Sequence, residues 1–301
     1  MRLGARPALS LVLLSLFWGY SWIWNKLALL DAGPFTFSAY RMSLAAASLL
    51  LALPLTRRSV RPTTGLRDLL VLGLVQTTGF VGLSMWALVE GGVGSTSILV
   101  FTMPFWTLLL AWPLLGERVQ GAQWAAVGFA AVGLLVILHP WDLQGSILSK
   151  LLGLTSGMLW AIGSIMVKRM QRERPRDLLS LTAWQMMLGA LPLLVIAMLS
   201  GEPPVVWSTR FISVLLVTSL FSTALGWCLW VYVLKQVDAG IAGMGLLAVP
   251  VIAIASSAWH FGERPLPEEM IGMSLIMFAL LIIGIRALRR HVELAGPMGQ
   301  E

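Results

Sequence analysis

Charge is scarce in this 301-residue chain: Asp, Glu, Lys and Arg make up 12% of it, against about 25% in a soluble globular protein. Cysteine occurs once, at Cys228, which excludes an internal disulfide and a Cys-rich metal site. The three histidines, His139, His260 and His291, lie far apart and offer no ligand spacing such as HxxxH. Glu90, Glu117, Asp238 and Glu263 all fall at the ends of expected helices, and no carboxylate falls near a helix middle. Proton-for-cation exchange needs a buried carboxylate that trades its proton for the cargo, so that chemistry is disfavoured. A membrane enzyme would need a nucleophile, an acid/base pair or a metal site, and the same shortages leave nothing to build it from. No cofactor is expected.

Apolar residues are abundant instead, at 57% of the chain, with a mean hydropathy of +0.83. That composition excludes a soluble enzyme, a disordered protein and a nucleic-acid-binding domain. A spanning helix takes ~20 apolar residues, so ten would use roughly 200 and leave about 100 for loops and tails. The pattern predicts an all-α polytopic membrane protein with helices at 8–30, 35–55, 67–89, 93–115, 121–139, 148–169, 179–199, 211–234, 240–261 and 269–288. The basic N-terminus, Met1 to Arg6, starts like a signal peptide, but the apolar run continues to Leu30 with no small-residue cleavage site. It is expected to stay as the first helix.

The net charge of +7 reads as orientation in a bilayer rather than affinity for nucleic acid. With the N-terminus inside, the inner segments hold sixteen basic residues: Arg2, Arg6, Arg57, Arg58, Arg61, Arg67, Arg118, Lys168, Arg169, Arg172, Arg174, Arg176, Lys235, Arg286, Arg289 and Arg290. The outer side holds four, Lys26, Lys150, Arg210 and Arg264, and Arg41 sits inside a span. The excess predicts a multi-pass membrane protein with both termini cytoplasmic. Trp22, Trp24, Trp141 and Trp207 fall near the expected interfaces and suit an aromatic belt.

The chain is written twice, as residues 8–139 and 148–288, at an offset of 142–146. Trp18–Lys26 (WGYSWIWNK) falls on Trp160–Lys168 (WAIGSIMVK), and Arg41 falls on Gln185. Trp86 falls on Tyr232, Gly94 on Gly240, Pro104 on Pro250, and Gly116-Glu117-Arg118 on Gly262-Glu263-Arg264. Each half carries five expected helices. Five is odd, so the second half must enter the membrane upside down, giving two inverted five-helix repeats.

On these residues the chain resembles the drug/metabolite transporter superfamily, with two EamA-type repeats. The resemblance rests on Trp18-Gly19, Lys26, Arg41, Pro104 and Gly116-Glu117-Arg118, echoed by Trp160, Lys168, Pro250 and Gly262-Glu263-Arg264. It implies ten helices and transport of small metabolites, often export of amino acids or related compounds. The second half departs at Gln185, which confines any role for the Arg41 cation to one side.

Ionisable groups inside a membrane are costly and are functional candidates by default. Arg41 lies about seven residues into its helix, ~10 Å below the outer surface, and its planar fork suits a carboxylate. Its alternative is a structural ion pair with Asp31 or Glu90. Lys26 and Lys168 lie near helix ends, from which their ammonium groups can snorkel to an interface. A midplane cavity is expected from Trp18, Asn25, Trp86, Trp160, Ser164, Trp227 and Tyr232, joined by Ser97. Pro104 and Pro250 follow small residues (Gly94-Ser-Thr-Ser97; Gly240, Gly243 and Gly245) and predict kinks that serve as hinges. Glu117 and Glu263, within the Gly-Glu-Arg triplets, either fix loop geometry or act as gates. Gly121-xxx-Ala125 and Gly153-xxx-Gly157 suit packing within the chain or a homodimer.

The reading is a secondary transporter that exports a neutral, zwitterionic or anionic metabolite across the inner membrane by alternating access. Its partners are the lipid bilayer and a small-molecule cargo. A multidrug efflux pump and a channel or membrane scaffold are the rivals.

Overall fold

Apolar runs separated by glycine, proline and charge become helices whose ends carry recognisable caps. The computed structural model describes residues 5–116, 121–138, 146–236, 248–264 and 266–294. Within them the elements are α1 (Ala5–Ala28), α2 (Pro34–Leu55), α3 (Leu66–Glu90), α4 (Val93–Leu114), α5 (Ala122–Leu138), α6 (Ile147–Glu173), α7 (Leu178–Leu199), α8 (209–236), α9 (Ala248–Phe261) and α10 (Pro267–Leu294). Pro34 opens α2 at its first position, where a missing N–H costs nothing. Asp177 caps α7 by accepting from the amides of Leu179 and Ser180, and Ser208 caps α8 by accepting from Phe211. Gly116 and Gly262, the glycines of the two Gly-Glu-Arg triplets, adopt φ of 71° and 64° just past α4 and α9. Both end their helices in the left-handed conformation that glycine adopts without strain.

Among the described residues, six helices are long and apolar enough to cross a membrane: α2, α3, α4, α6, α7 and the 209–230 part of α8. Residues 124–133, 249–261 and 270–279 form shorter apolar helices. In α1, Gly19-Tyr20-Ser21 and Asn25-Lys26 dilute the hydropathy. The expected start of the ninth helix at 240, with Gly240, Gly243 and Gly245, lies outside the described residues, as does Glu117.

Two helices depart from α geometry at matching places. Gly73–Gly79 in α3 and Thr218–Leu225 in α8 are π-helical, and at the 146-residue offset the two segments coincide. A π segment is rare, widens the turn and often sits at a functional site. Helix α4 is interrupted at Phe101-Thr102 and restarts at Met103, directly before Pro104.

The packing follows the duplication. Helix α1 packs on α8 and α9, and α6 packs on α3 and α4; α2 meets α7, α4 meets α9 and α5 meets α10. Exchanging each helix for the one five places on leaves these pairings unchanged. Glycines allow the closest approaches: a Cβ on Gly73 would stand 2.8 Å from the Gln185 carbonyl, and one on Gly189 2.5 Å from the Gly73 carbonyl. Gly153 and Gly157 are used in the same way within the chain, against Leu99 and Val100 of α4.

The loops gather at two ends. At one, Arg210 grips Asp31 through Nη2–Oδ1 at 2.7 Å and Nε–Oδ2 at 2.9 Å, Ser208 adds a third bond, and Glu202 accepts from the amides of Phe35 and Thr36. The Arg210 hydrogen bonds and charge hold the Asp31 carboxyl below its ordinary value. At the other end, Arg58 meets Asp177 at 2.7 Å and the Trp184 indole donates to the Val60 carbonyl. The loop between α1 and α2 therefore stands at the Asp31 end, while its counterpart between α6 and α7 stands at the Arg58 end.

Polarity runs inside out. Asn25, Gln76 and Gln185 are buried, whereas Leu51, Leu55, Met198, Leu199 and Trp259 are among the large apolar side chains that face outward. In water this surface would aggregate; against lipid it is at home.

Candidate functional site

The interior opens into a cavity between α1, α2, α3, α4, α6 and α8. It provides ≈ 80 Å³ of space open to a water's centre, room for roughly five to eight waters. Trp18, Ser21, Trp22 and Asn25 reach it from α1, Phe80, Val81, Ser84 and Met85 from α3, Phe101 and Met103 from the broken part of α4, and Trp160, Ser222 and Trp227 from α6 and α8. Among the described residues, Arg41 of α2 is its one charged lining residue.

The guanidinium is held by neutral groups. Nε donates to Thr223 Oγ1 at 2.9 Å and Nη1 to Asn25 Oδ1 at 3.1 Å. The alternative partners are engaged elsewhere: Asp31 by Arg210, and Glu90 by the Trp86 indole at 3.3 Å. Arg41 thus has no carboxylate partner among the described residues. The π segment of α8 builds this arrangement. Its widened turn presents the Thr223 hydroxyl to Arg41 and the Ser222 carbonyl to the Trp18 indole, 2.8 Å away. The repeat mates Trp18 and Trp160 meet edge to face with centroids 6.5 Å apart, and Trp160 also contacts Trp227 at 5.2 Å and Phe80 at 4.7 Å. The site is therefore an aromatic box with one cation and several hydroxyls at its rim.

Two further cavities lie toward the ends. Trp227 also lines a space of ≈ 240 Å³ with Arg58, Leu178, Leu179, Thr182, Cys228 and Tyr232. Toward the Asp31 end, Lys26, Ser95, Ser257, Glu263 and Arg264 line a polar space of ≈ 420 Å³. Adjacent residues of α1 serve the two levels, Asn25 the centre and Lys26 the end.

Of the residues singled out in the sequence, Trp18, Asn25, Arg41, Trp160 and Trp227 come together at the central cavity. Tyr232 lines the cavity at the Arg58 end. Lys26 donates to the carbonyls of Leu88 and Gly91 at 3.0 and 2.9 Å and so caps the C-terminus of α3, where a cation is favoured. Trp86 packs on Phe35, away from the centre. Ser97 and Ser164 donate within their own helices, to the carbonyls of Gly94 and Trp160. Glu263 accepts from the Ser257 hydroxyl and from the Val93 amide, placing its charge on the N-terminus of α4. Pro250 is buried in α9, beside the close approach of Gly19 to Val249 and Ile252. Trp22, expected at a membrane interface, is instead buried and lines this cavity, because its helix face turns inward with Trp18 and Asn25. The sequence reading missed Ser84, Ser222 and Thr223. The spacing of Phe80 and Ser84, four apart on one helix face, was an available signal.

A helical bundle with an apolar exterior, an interior void lined by aromatic rings with a few polar groups, and further cavities toward both ends is the architecture of a membrane transporter for small molecules. The EamA-like transporter family matches residues 6–139 and again 147–285, and the chain belongs to that family. It is 29% identical over 279 residues to an uncharacterized transporter, YoaV, of Bacillus subtilis, covering 91% of this chain and 93% of that one. It is 28% identical over 292 residues to a probable amino-acid metabolite efflux pump of Salmonella typhimurium, covering 93% and 95%. A probable terminal-alkyne amino-acid exporter of Streptantibioticus cattleyicolor is 26% identical, with 96% of each chain covered. A solved crystal structure shares the fold at a TM-score of 0.64 and 18% identity, over 94% of this chain and 98% of that one. The family and these relatives are transporters, not enzymes, and the chain is a multi-pass membrane protein.

Proposed function

We propose that this protein exports small carboxylate-bearing metabolites, amino acids or close relatives, across a bacterial inner membrane by alternating access. The observation that carries this reading is Arg41: a guanidinium facing a cavity inside the bundle, with neutral partners and no carboxylate among the described residues. Two of its five N–H donors are engaged, and the rest suit the fork-to-fork geometry of a carboxylate. The tryptophans around it suit the apolar body or the ammonium group of the cargo. A void of this size fits a small metabolite better than a bulky drug. The efflux-pump and exporter names of two relatives support the direction of transport.

In this reading the chain crosses the membrane ten times as two inverted repeats, with the Asp31 end outside and the arginine-rich Arg58 end in the cytoplasm. Both termini are then cytoplasmic. A multidrug pump for organic cations is the second reading, favoured by the aromatic box but opposed by the lone cation at its rim. A metabolite-wide efflux comparison of cells with and without the protein, followed by counterflow of the leading compounds in liposomes, tests the proposal. Carboxylates at the top of that comparison, with flux stimulated by cargo on the far side, support it. Quaternary cations at the top, or non-saturable flux, refute it.

A further inference from the structure

The Arg41 site has a counterpart one repeat away. At the offsets that align the two halves, Arg41 corresponds to Gln185, Ser222 to Gln76 and Thr223 to Thr77. In the first arrangement a side chain of α2 reaches the π segment of α8, where Arg41 donates to Thr223. In the second, a side chain of α7 reaches the π segment of α3, where Gln185 Nε2 donates to Gln76 Oε1 at 3.2 Å. Gln185 and Thr77 are each 1% exposed. The Thr77 hydroxyl, the repeat mate of the one that receives Arg41, has no hydrogen-bond partner among the described residues. Unpartnered buried hydroxyls are uncommon in packed interiors. The side chain at the place of Arg41 is a glutamine, and its amide donates to Gln76 rather than to Thr77.

The two places also differ in space. The Arg41 site borders a cavity, whereas the Gln185 site is filled: a Cβ on Gly163 would meet Gln76 at 2.8 Å, and one on Gly189 would collide with Thr77. Arg41 lies seven residues from the Asp31 end of α2, and Gln185 seven residues from the Arg58 end of α7. The open site therefore belongs to one half of the bundle's depth and the closed one to the other.

We propose that Gln76, Thr77 and Gln185 form a second, closed cargo subsite, the repeat-related copy of the Arg41 site, which opens toward the Arg58 end as the Arg41 cavity closes. It takes the carboxylate of the same cargo through amide and hydroxyl donors in place of a guanidinium. The inference rests on the transport reading and deepens it. As the two related halves exchange conformations, the closed seat opens while the open one closes, and the exchange replaces a charged anchor with neutral ones. Affinity for a carboxylate is then lower on the Arg58 face. A weak site facing the cytoplasm fills only when the cytoplasmic pool is high, which suits overflow export.

Thiol accessibility tests this in the full-length protein. In a Cys228→Ser background, Ser84→Cys reports on the open cavity and Thr77→Cys, close in size to the original side chain, on the closed subsite; Gln76→Cys is a second reporter there. A membrane-impermeant methanethiosulfonate is applied to right-side-out and inside-out vesicles. Ser84→Cys is expected to react at least tenfold faster from the Asp31 face, and Thr77→Cys and Gln76→Cys at least tenfold faster from the Arg58 face. Reaction of Ser84→Cys with none at positions 76 and 77 from either face overturns the second subsite and leaves the transport reading standing. No reaction at any of the three overturns both.

Discussion

The Arg41 side and the Gln185 side of the bundle share a scaffold and differ by one charge. Both place a polar side chain from the second helix of one repeat against a π segment in the third helix of the other. On one side the partner is an arginine beside a void, and on the other a glutamine in a filled interior. Duplication supplied two equivalent seats, and a charge in one of them makes the pair unequal. An inverted repeat needs matching halves to change conformation, but a useful cargo site needs only one of them to carry the charge.

The largest test of that inequality removes the cation. Arg41→Gln makes the first seat resemble the second and is expected to lower transport of a carboxylate cargo by roughly 10- to 150-fold, equivalent to losing about 1.5–3 kcal/mol of charged hydrogen bonding. Initial rates in liposomes give the number, and an unchanged rate would dissolve the distinction between the seats. A second test concerns packing around the filled seat. Gly189→Ala thrusts a methyl group at Thr77 and the Gly73 carbonyl and is expected to destabilise the fold by about 1–3 kcal/mol. Gly128→Ala, on α5 with nothing within 4 Å, is expected to be neutral or to stabilise by up to about 1 kcal/mol. Thermal unfolding in detergent separates the two.

The staples at the two ends sharpen the comparison at smaller scale. Asp31, buried beneath Arg210 and Ser208, has its carboxyl pKa held below the ordinary 3.8. Its stabilisation is thus fully present above that value and is lost as the pH falls through the lowered one. Asp31→Asn should therefore lower the melting temperature at neutral pH, and the gap from the wild type should narrow in strong acid. A gap independent of pH would remove the ion pair as its cause. At the other end Arg58 is 41% exposed and Asp177 25%, so Arg58→Gln is expected to cost less than about 1 kcal/mol. Asp177→Ala also removes the cap of α7 and should cost about 0.5–2 kcal/mol.

Much of this architecture is legible in the residues alone. Proline, glycine and charge punctuate the apolar runs, so the expected helix at 35–55 is found at Pro34–Leu55 and that at 179–199 at Leu178–Leu199. Arg41 and the Trp18–Trp160 pair stand out because a charge or a repeated indole inside a span is uncommon. The π segments were not legible: Gly73–Gly79 and Thr218–Leu225 have no local signature, and their extra residue changes which side chains share a face. Within the regular turns that follow, Ser84 reaches the cavity while Trp86, about 200° further round the helix, packs against Phe35. Ser97 and Ser164 misled for another reason. A serine in a helix can satisfy itself on a carbonyl three or four residues back, as Ser97 and Ser164 do and as the cavity-lining Ser21 and Ser84 also do, so residue type alone does not say which serine faces the void.

The most direct measurement compares an amino acid with its amide, which differ in carboxylate charge and little in size, as counterflow substrates in liposomes holding the wild type or Arg41→Ala. The account predicts exchange of the acid well above the amide by the wild type, with that preference abolished in Arg41→Ala. Undiminished exchange of the acid by Arg41→Ala would contradict it.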